Sequence, residues 1–169
     1  SPSGNPEIWD NPPEHYIIEA EWLAQRQAEA DAAEQVRLSD PVLARNEKYA
    51  EINNGCQTAL SALTLTYPDR ELLTFERQER EARALLAGDS AADVTHITAI
   101  AQGRGIPVEE LAQKIIAKAD AFALASGLLI GMRQKYEDQL NALGEDATAE
   151  QIRAITVSYS LPGADGSAS

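Results

Sequence analysis

The chain is poor in the residues that most often carry chemistry. Its 169 residues include one cysteine, two histidines and one methionine. A lone cysteine, Cys56, cannot close an internal disulfide, so a reducing compartment is the expected setting. Aromatic residues make up only 5% of the chain. That scarcity, with abundant alanine, argues against a β-sandwich and for helices packed through small side chains. Basic residues are also in deficit: 14 Lys and Arg stand against 27 Asp and Glu, a net charge of −13. No basic stripe is visible, so nucleic acid is not an expected partner. Anionic membrane surfaces are disfavoured for the same reason. The most apolar run, Ala119 to Met132, is about 14 residues and includes Asp120, Ser126 and two glycines, whereas a spanning helix needs about 20. It is expected to be a buried helix, with no membrane insertion. The first residues, SPSGNPEIWDNPPEH, are polar and turn-rich and lack the apolar core of a signal peptide.

What is present is helical pattern almost throughout. The expected fold class is all-α: a small helical bundle with one long C-terminal helix, preceded by an irregular N-terminal arm and an acidic helix. Four prolines break the arm over residues 1–14, and Ile8 and Trp9 are its apolar anchors. A helix is expected over 17–38. After Leu23 it is almost entirely Ala, Gln and Glu, which suits a solvated spacer, the favoured reading, or one strand of an Ala-packed coiled coil. Residues 1–37 hold eight acids against two bases. Asp40-Pro41 marks the next helix start, an N-cap followed by proline in the first turn. This helix should run to about 64, with a kink or break at Asn53-Asn54-Gly55.

Pro68-Asp69 begins a further helix ending at Gly88. Leu72, Leu73, Phe75, Ala82, Leu85 and Leu86 form its expected buried stripe. Arg77, Glu79, Arg80, Glu81 and Arg83 form its solvent side. Asp93 opens a short helix over 94–102, closed by Gly103 and Gly105. The longest helix spans 107 to about 143. Ile115, Phe122, Leu129, Tyr136 and Leu143 recur every seven residues along it, a seam for partner helices. Leu111, Ala119, Ser126, Arg133 and Leu140 form the adjoining ridge. Thr148 and Gln151 read as a capping box for a last helix, 149–157. The domain reading is therefore an arm and linker helix (1–38), a connecting helix (39–66), a helical domain (67–157) and a flexible tail (158–169).

Candidate chemistry is sparse. Asp93-Val94-Thr95-His96 is the sole acid-x-x-His pair, where a di-iron bundle wants two such motifs with glutamates and two further glutamates. Asp93 is better read as a helix cap and His96 as its half-buried neighbour. Cys56 has no base or cation near it in sequence, as a nucleophile requires. Gly103-Arg104-Gly105 is too short for a phosphate loop. No catalytic residue, metal site or cofactor is expected. Gly127 and Gly131 are spaced as small-x-x-x-small, which calls for close approach of another helix. Packing within the chain is the favoured reading, against contact with a second copy. Arg133 is expected to pair with Glu76, Glu79 or Glu81, or to lie along the surface.

Several of these residues carry a resemblance. Thr74-Phe75-Glu76-Arg77-Gln78 with Glu81-Ala82, then Ala99-Ile100-Ala101 with Arg104-Gly105, then Leu111-Ala112, Lys114-Ile115, Lys118-Ala119, Gly127 and Gly131-Met132-Arg133-Gln134 resemble a small helical domain of unassigned function found in phage and prophage proteins. That domain is encoded among tail genes, beside or within tail-fibre assembly proteins. The chain departs from it near Thr95, where a proline is expected. The resemblance covers less than half the chain, and its motifs concern packing.

The resemblance implies a non-enzymatic tail protein: an assembly factor or chaperone for tail fibres, working in the cytoplasm of the bacterial host. A minor virion tail component and a general helical oligomerising adaptor are the alternatives. The implied partner is a phage tail or tail-fibre protein, with a homo-oligomer through the heptad seam as a further expectation. Ile8, Trp9, Tyr16 and Trp22 are the candidate partner-binding residues. Phe75, Ile115, Phe122, Gly127, Leu129, Gly131, Arg133 and Tyr136 are the candidate helix-packing residues.

Overall fold

The computed structural model describes residues 13–162. Over these residues the chain is all-α, with seven helices and no strand. The helices are α1 (Glu14–Ser39), α2 (Pro41–Ala62), α3 (Asp69–Leu72), α4 (Phe75–Leu86), α5 (Thr95–Arg104), α6 (Val108–Ala142) and α7 (Ala149–Arg153). By internal contacts the chain divides into two units, 1–48 with 143–154, and 49–142 with 155–169.

Local chemistry explains most boundaries. The Asp40 carboxylate accepts from the Val42 and Leu43 amides at 2.9 and 3.4 Å, starting α2 as its sequence predicts. Gly88, at φ 77°, ends α4 in a Schellman turn. Its amide donates to the Leu85 carbonyl, and the Asp89 amide to that of Ala84. Gly105, at φ 79°, ends α5 in the same conformation. The Thr148–Gln151 capping box is fully formed.

Three boundaries differ from the sequence reading. The helix expected from Pro68 to Gly88 is two helices. Thr74 directs both its amide and its hydroxyl to the Glu71 carbonyl, at 2.9 and 2.8 Å, which stops α3 before α4 begins. The break expected at Asn53-Asn54-Gly55 is absent, and α2 runs through it. Ile52 and Cys56 on either side are buried. Gly55 gives room to the Tyr159 ring, which would stand 2.8 Å from a Cβ there. The last helix is shorter than expected, ending at Arg153.

The first unit has a small core of Ala44, Ala147, Ala149 and Ile152. Arg45 donates to the Gly144 carbonyl at 2.7 Å. Arg153 donates to the Leu38 carbonyl and lies 3.5 Å from Glu47. Arg37 grips Glu34 through two bonds and reaches Glu47 at 2.7 Å. These contacts hold the C-terminal end of α1.

The second unit has two packed regions. In the first, Ala82 of α4, Ile97 and Ala101 of α5, and Leu111 and Ala112 of α6 form a closed cluster, with Leu85, Ile100 and Ile115 packed against it. In the second, Ile52 and Cys56 of α2 and Leu129, Tyr136 and Leu140 of α6 are buried. There the Tyr49 hydroxyl donates to Asn141 at 2.7 Å. The Tyr136 hydroxyl donates to the Ser158 carbonyl, and the Tyr159 hydroxyl to the Ile52 carbonyl at 2.6 Å. The two rings meet edge to face at 5.6 Å. Ser158 and Tyr159 are thus anchored, so the chain is not loose from 158 as its composition implies. Burial, reinforced by neighbouring Cys56 and Tyr136, pushes the Tyr159 hydroxyl up to about 12.

Candidate protein-binding surfaces

The buried Glu81 is the most organised polar group outside the helices' own caps. Its side chain is only 2% exposed. One oxygen accepts from Arg77 at 2.7 Å. The other accepts from the His96 and Ile97 amides at 2.9 and 3.3 Å. Those amides open α5, so a carboxylate from α4 caps the positive end of the next helix. Burial pushes the Glu81 pKa up, but the Arg77 bond and the two amides outweigh it and the net shift is downward. Asp93 completes the turn by accepting from the Thr95 amide and hydroxyl, which also lowers its pKa.

The expectation of Glu81 on the solvent side is therefore corrected. The signal available was Glu81-Ala82 inside the stretch that carries the family resemblance. An open cleft beside it is lined by Arg77, Arg80, Asp89 and Asp93 among others; of these, Arg77 and Asp93 already serve this network, and Asp89 accepts from the Ala91 amide. His96 is half-buried, and its Nε2 is buried without a hydrogen-bond partner. Cys56 is buried, with its sulfur 3.8 Å from the Leu129 carbonyl. Among the described residues no group of three or more His, Cys, Asp or Glu gathers as a metal site would.

Apolar residues left in water point instead to contact with other macromolecules. The first such surface is on α1, which buries none of its 26 residues. Near its start, Ile17, Ile18, Trp22 and Leu23 are all exposed, Trp22 by 55%. Tyr16 beside them is half-buried. The Arg26 guanidinium lies 5.3 Å from the Trp22 ring. Side-chain bonds one turn apart, Gln25 to Glu29 and Gln27 to Asp31, sustain the polar part that follows. Ile8 and Trp9 lie outside the described residues.

The second surface is on α6. Leu129 and Tyr136 of the heptad seam are buried within the chain and Ile115 is half-buried, but Phe122 is 46% exposed and Leu143 is also exposed. The seam fails at Phe122 because α6 packs in two stretches. One rests on α4 and α5, the other meets α2 and the Tyr159 segment, and Phe122 falls between them. Phe75 packs edge to face on Tyr67 at 5.1 Å and is half-buried. Leu73 and Leu86, expected in the same stripe, are exposed. Arg133 pairs with Glu137 one turn on, at 2.9 Å, and not with α4. Two of the three α4 glutamates have other partners: Glu79 holds Arg83 and Glu81 holds Arg77.

Gly127 and Gly131 are exposed, and a Cβ on either would meet nothing within 4 Å. Among the described residues nothing packs on these glycines, so the expected close approach within the chain is not found there. They sit with Ala123, Leu124, Leu128, Met132 and Lys135 on one open face. The run expected to be a buried helix is thus mostly in water. The whole of α6 is also long and apolar enough to cross a membrane by length and composition, with a stretch of mean hydropathy 1.6.

The fold and these surfaces define an all-α protein with two exposed apolar faces. A profile of the HI1402 helical domain family matches residues 117–157. That segment holds about the last three quarters of α6 and all of α7. An uncharacterised protein of Haemophilus influenzae is 48% identical over 44 residues. The alignment covers 26% of this chain and 65% of that relative's length. No solved structure matches.

Proposed function

We propose that the protein acts by binding other proteins and performs no chemistry of its own. It serves as a phage or prophage tail protein, foremost as an assembly factor for tail fibres and in second place as a minor component of the tail. The observation that carries the binding reading is α1: a helix of 26 residues with none buried and with Ile17, Ile18, Trp22 and Leu23 open at its start. An exposed tryptophan is among the residue types that most often carry the binding energy of protein interfaces, and the aliphatic side chains around it extend the apolar patch. At 1.5 Å per residue the helix spans about 39 Å, so its tip can reach a partner at a distance from its own anchored end. Covering apolar fibre surface until the trimer forms requires no more than such a tip.

The placement among tail proteins rests on the resemblance carried by Thr74 to Gln134. Two measurements test it. Co-expression with a tail-fibre protein encoded beside this gene is expected to raise the yield of soluble fibre trimer, and Trp22→Asp with Ile17→Asp is expected to abolish that gain. An equal yield with the double variant removes the α1 tip from the mechanism. Mass spectrometry of purified particles against producing-cell lysate separates the two roles. Absence from particles identifies an assembly factor, and a fixed copy number identifies a structural component.

A further inference from the structure

We propose that two copies of this chain pair through the open face of α6, antiparallel, about a two-fold axis between Gly127 and Leu128. Asp120, Leu124, Gly127, Leu128, Gly131 and Lys135 recur at three- and four-residue steps, so they share one side of the helix. Leu124 is 67% exposed and Leu128 40%. Both glycines open onto empty space. The side runs for about 22 Å at 1.5 Å per residue.

The face is complementary to itself in one orientation. An antiparallel pair centred between 127 and 128 sets Leu124 against the partner's Gly131 and brings the two Leu128 side chains together across the axis. Leu124 thus meets a position with no side chain, so the backbones approach closely there. The same register sets Asp120 against the partner's Lys135 at both ends. Asp120 is 65% exposed and uses Oδ1 to bind Arg83 at 2.7 Å. Lys135 lies over the Tyr136 ring at 5.2 Å. A parallel pair sets leucine on leucine, glycine on glycine, and like charge on like charge. That charge pattern also favours a second copy over a bilayer, because lipid would surround Asp120 and Lys135 without opposite charges of its own at those depths.

Sedimentation or light scattering on the full chain tests this. The expected mass is twice 18.3 kDa. Gly131→Leu fills the hollow that receives the partner's Leu124. It is expected to weaken association by about tenfold or more while the melting of the monomer holds, since none of the described residues touches that position. Cross-linking fixes the orientation, with Cys56→Ala as background. Leu128→Cys should oxidise to a disulfide dimer, because the two positions face each other across the axis. Leu124→Cys should not, because its two copies lie about 10 Å apart along the helices. A single-chain mass at every concentration overturns the proposal. So do efficient cross-linking at both positions, which indicates a parallel pair, and an unchanged dimer in Gly131→Leu. Flotation with phosphatidylcholine vesicles that Leu124→Asp abolishes assigns the face to a bilayer and also overturns it.

Discussion

α1 and α6 are the two longest helices, 26 and 35 residues, and both leave most of their length in water. They do so for opposite reasons. α1 is polar along most of its length and held at one end by Arg37, Glu47 and Arg153. The remainder relies on helix propensity and on side-chain bonds one turn apart, each worth a few tenths of a kcal/mol. α6 is apolar on more than one side. One side is spent on the chain's own cores at Leu111, Leu129, Tyr136 and Leu140, and another remains uncovered at Leu124 and Leu128. Exposure in α1 is what a spacer with an apolar tip requires. Exposure in α6 is a surplus of apolar surface, which invites a partner.

The largest expected effect separates the two sides of α6. Leu129→Ala should cost about 3 kcal/mol in chemical denaturation, because it opens a cavity under Cys56. Leu124→Ala, five residues away on the open side, should stay within about 0.5 kcal/mol in dilute monomer. Equal losses would mean that the open face is covered within the chain.

A smaller effect tests the α4–α5 junction that supports the first stretch of α6. Glu81→Gln should cost about 2 kcal/mol, since the amide presents a donor to Arg77 where a carboxylate accepted. The pH dependence has a defined sign. The folded pKa of Glu81 lies below its ordinary value of 4.5. Its contribution is therefore complete above that value and is lost as pH falls through the lowered one. Urea midpoints from pH 6 down to pH 3 should fall more in the native chain than in Glu81→Gln. Parallel curves would show that the carboxylate's charge is not what caps α5.

The smallest effect belongs to α1. Ala28→Gly costs about 1 kcal/mol of local helix propensity, yet it should shift the global melting by less than about 0.5 kcal/mol because α1 buries nothing. Amide exchange should speed up around residue 28 alone. A large global loss would show that α1 packs on something, and would erase the contrast with α6.

Much of the architecture was legible in the chain. Asp40-Pro41, Gly88, Gly105 and the Thr148–Gln151 box act on their immediate neighbours, so their spelling is enough to place helix ends. The alanine-rich, aromatic-poor composition likewise leads to an all-α fold. The break at Thr74 was hidden because Thr, Leu and Phe on either side continue a helical pattern. The unbroken passage of α2 through Asn53-Asn54-Gly55 was hidden because its reason, the Tyr159 ring, lies more than a hundred residues on. The α1 spacer and its Trp22 tip follow from a lack of large side chains after Leu23, which any three-dimensional arrangement must respect.

The sides of α6 and the role of Glu81 are a different matter. A heptad repeat says that Ile115, Phe122, Leu129 and Tyr136 lie near one line. It does not say that the covering elements change between Ile115 and Leu129 and leave Phe122 out. A glutamate among arginines reads as a solvated face until α5 brings two unpaired amides to it. Helix ends are set largely by capping groups within about four residues. Which face is buried is decided by what packs on it, and for α6 that comes from the adjacent α5 and from α2, α4 and the Tyr159 segment, which lie farther along the chain.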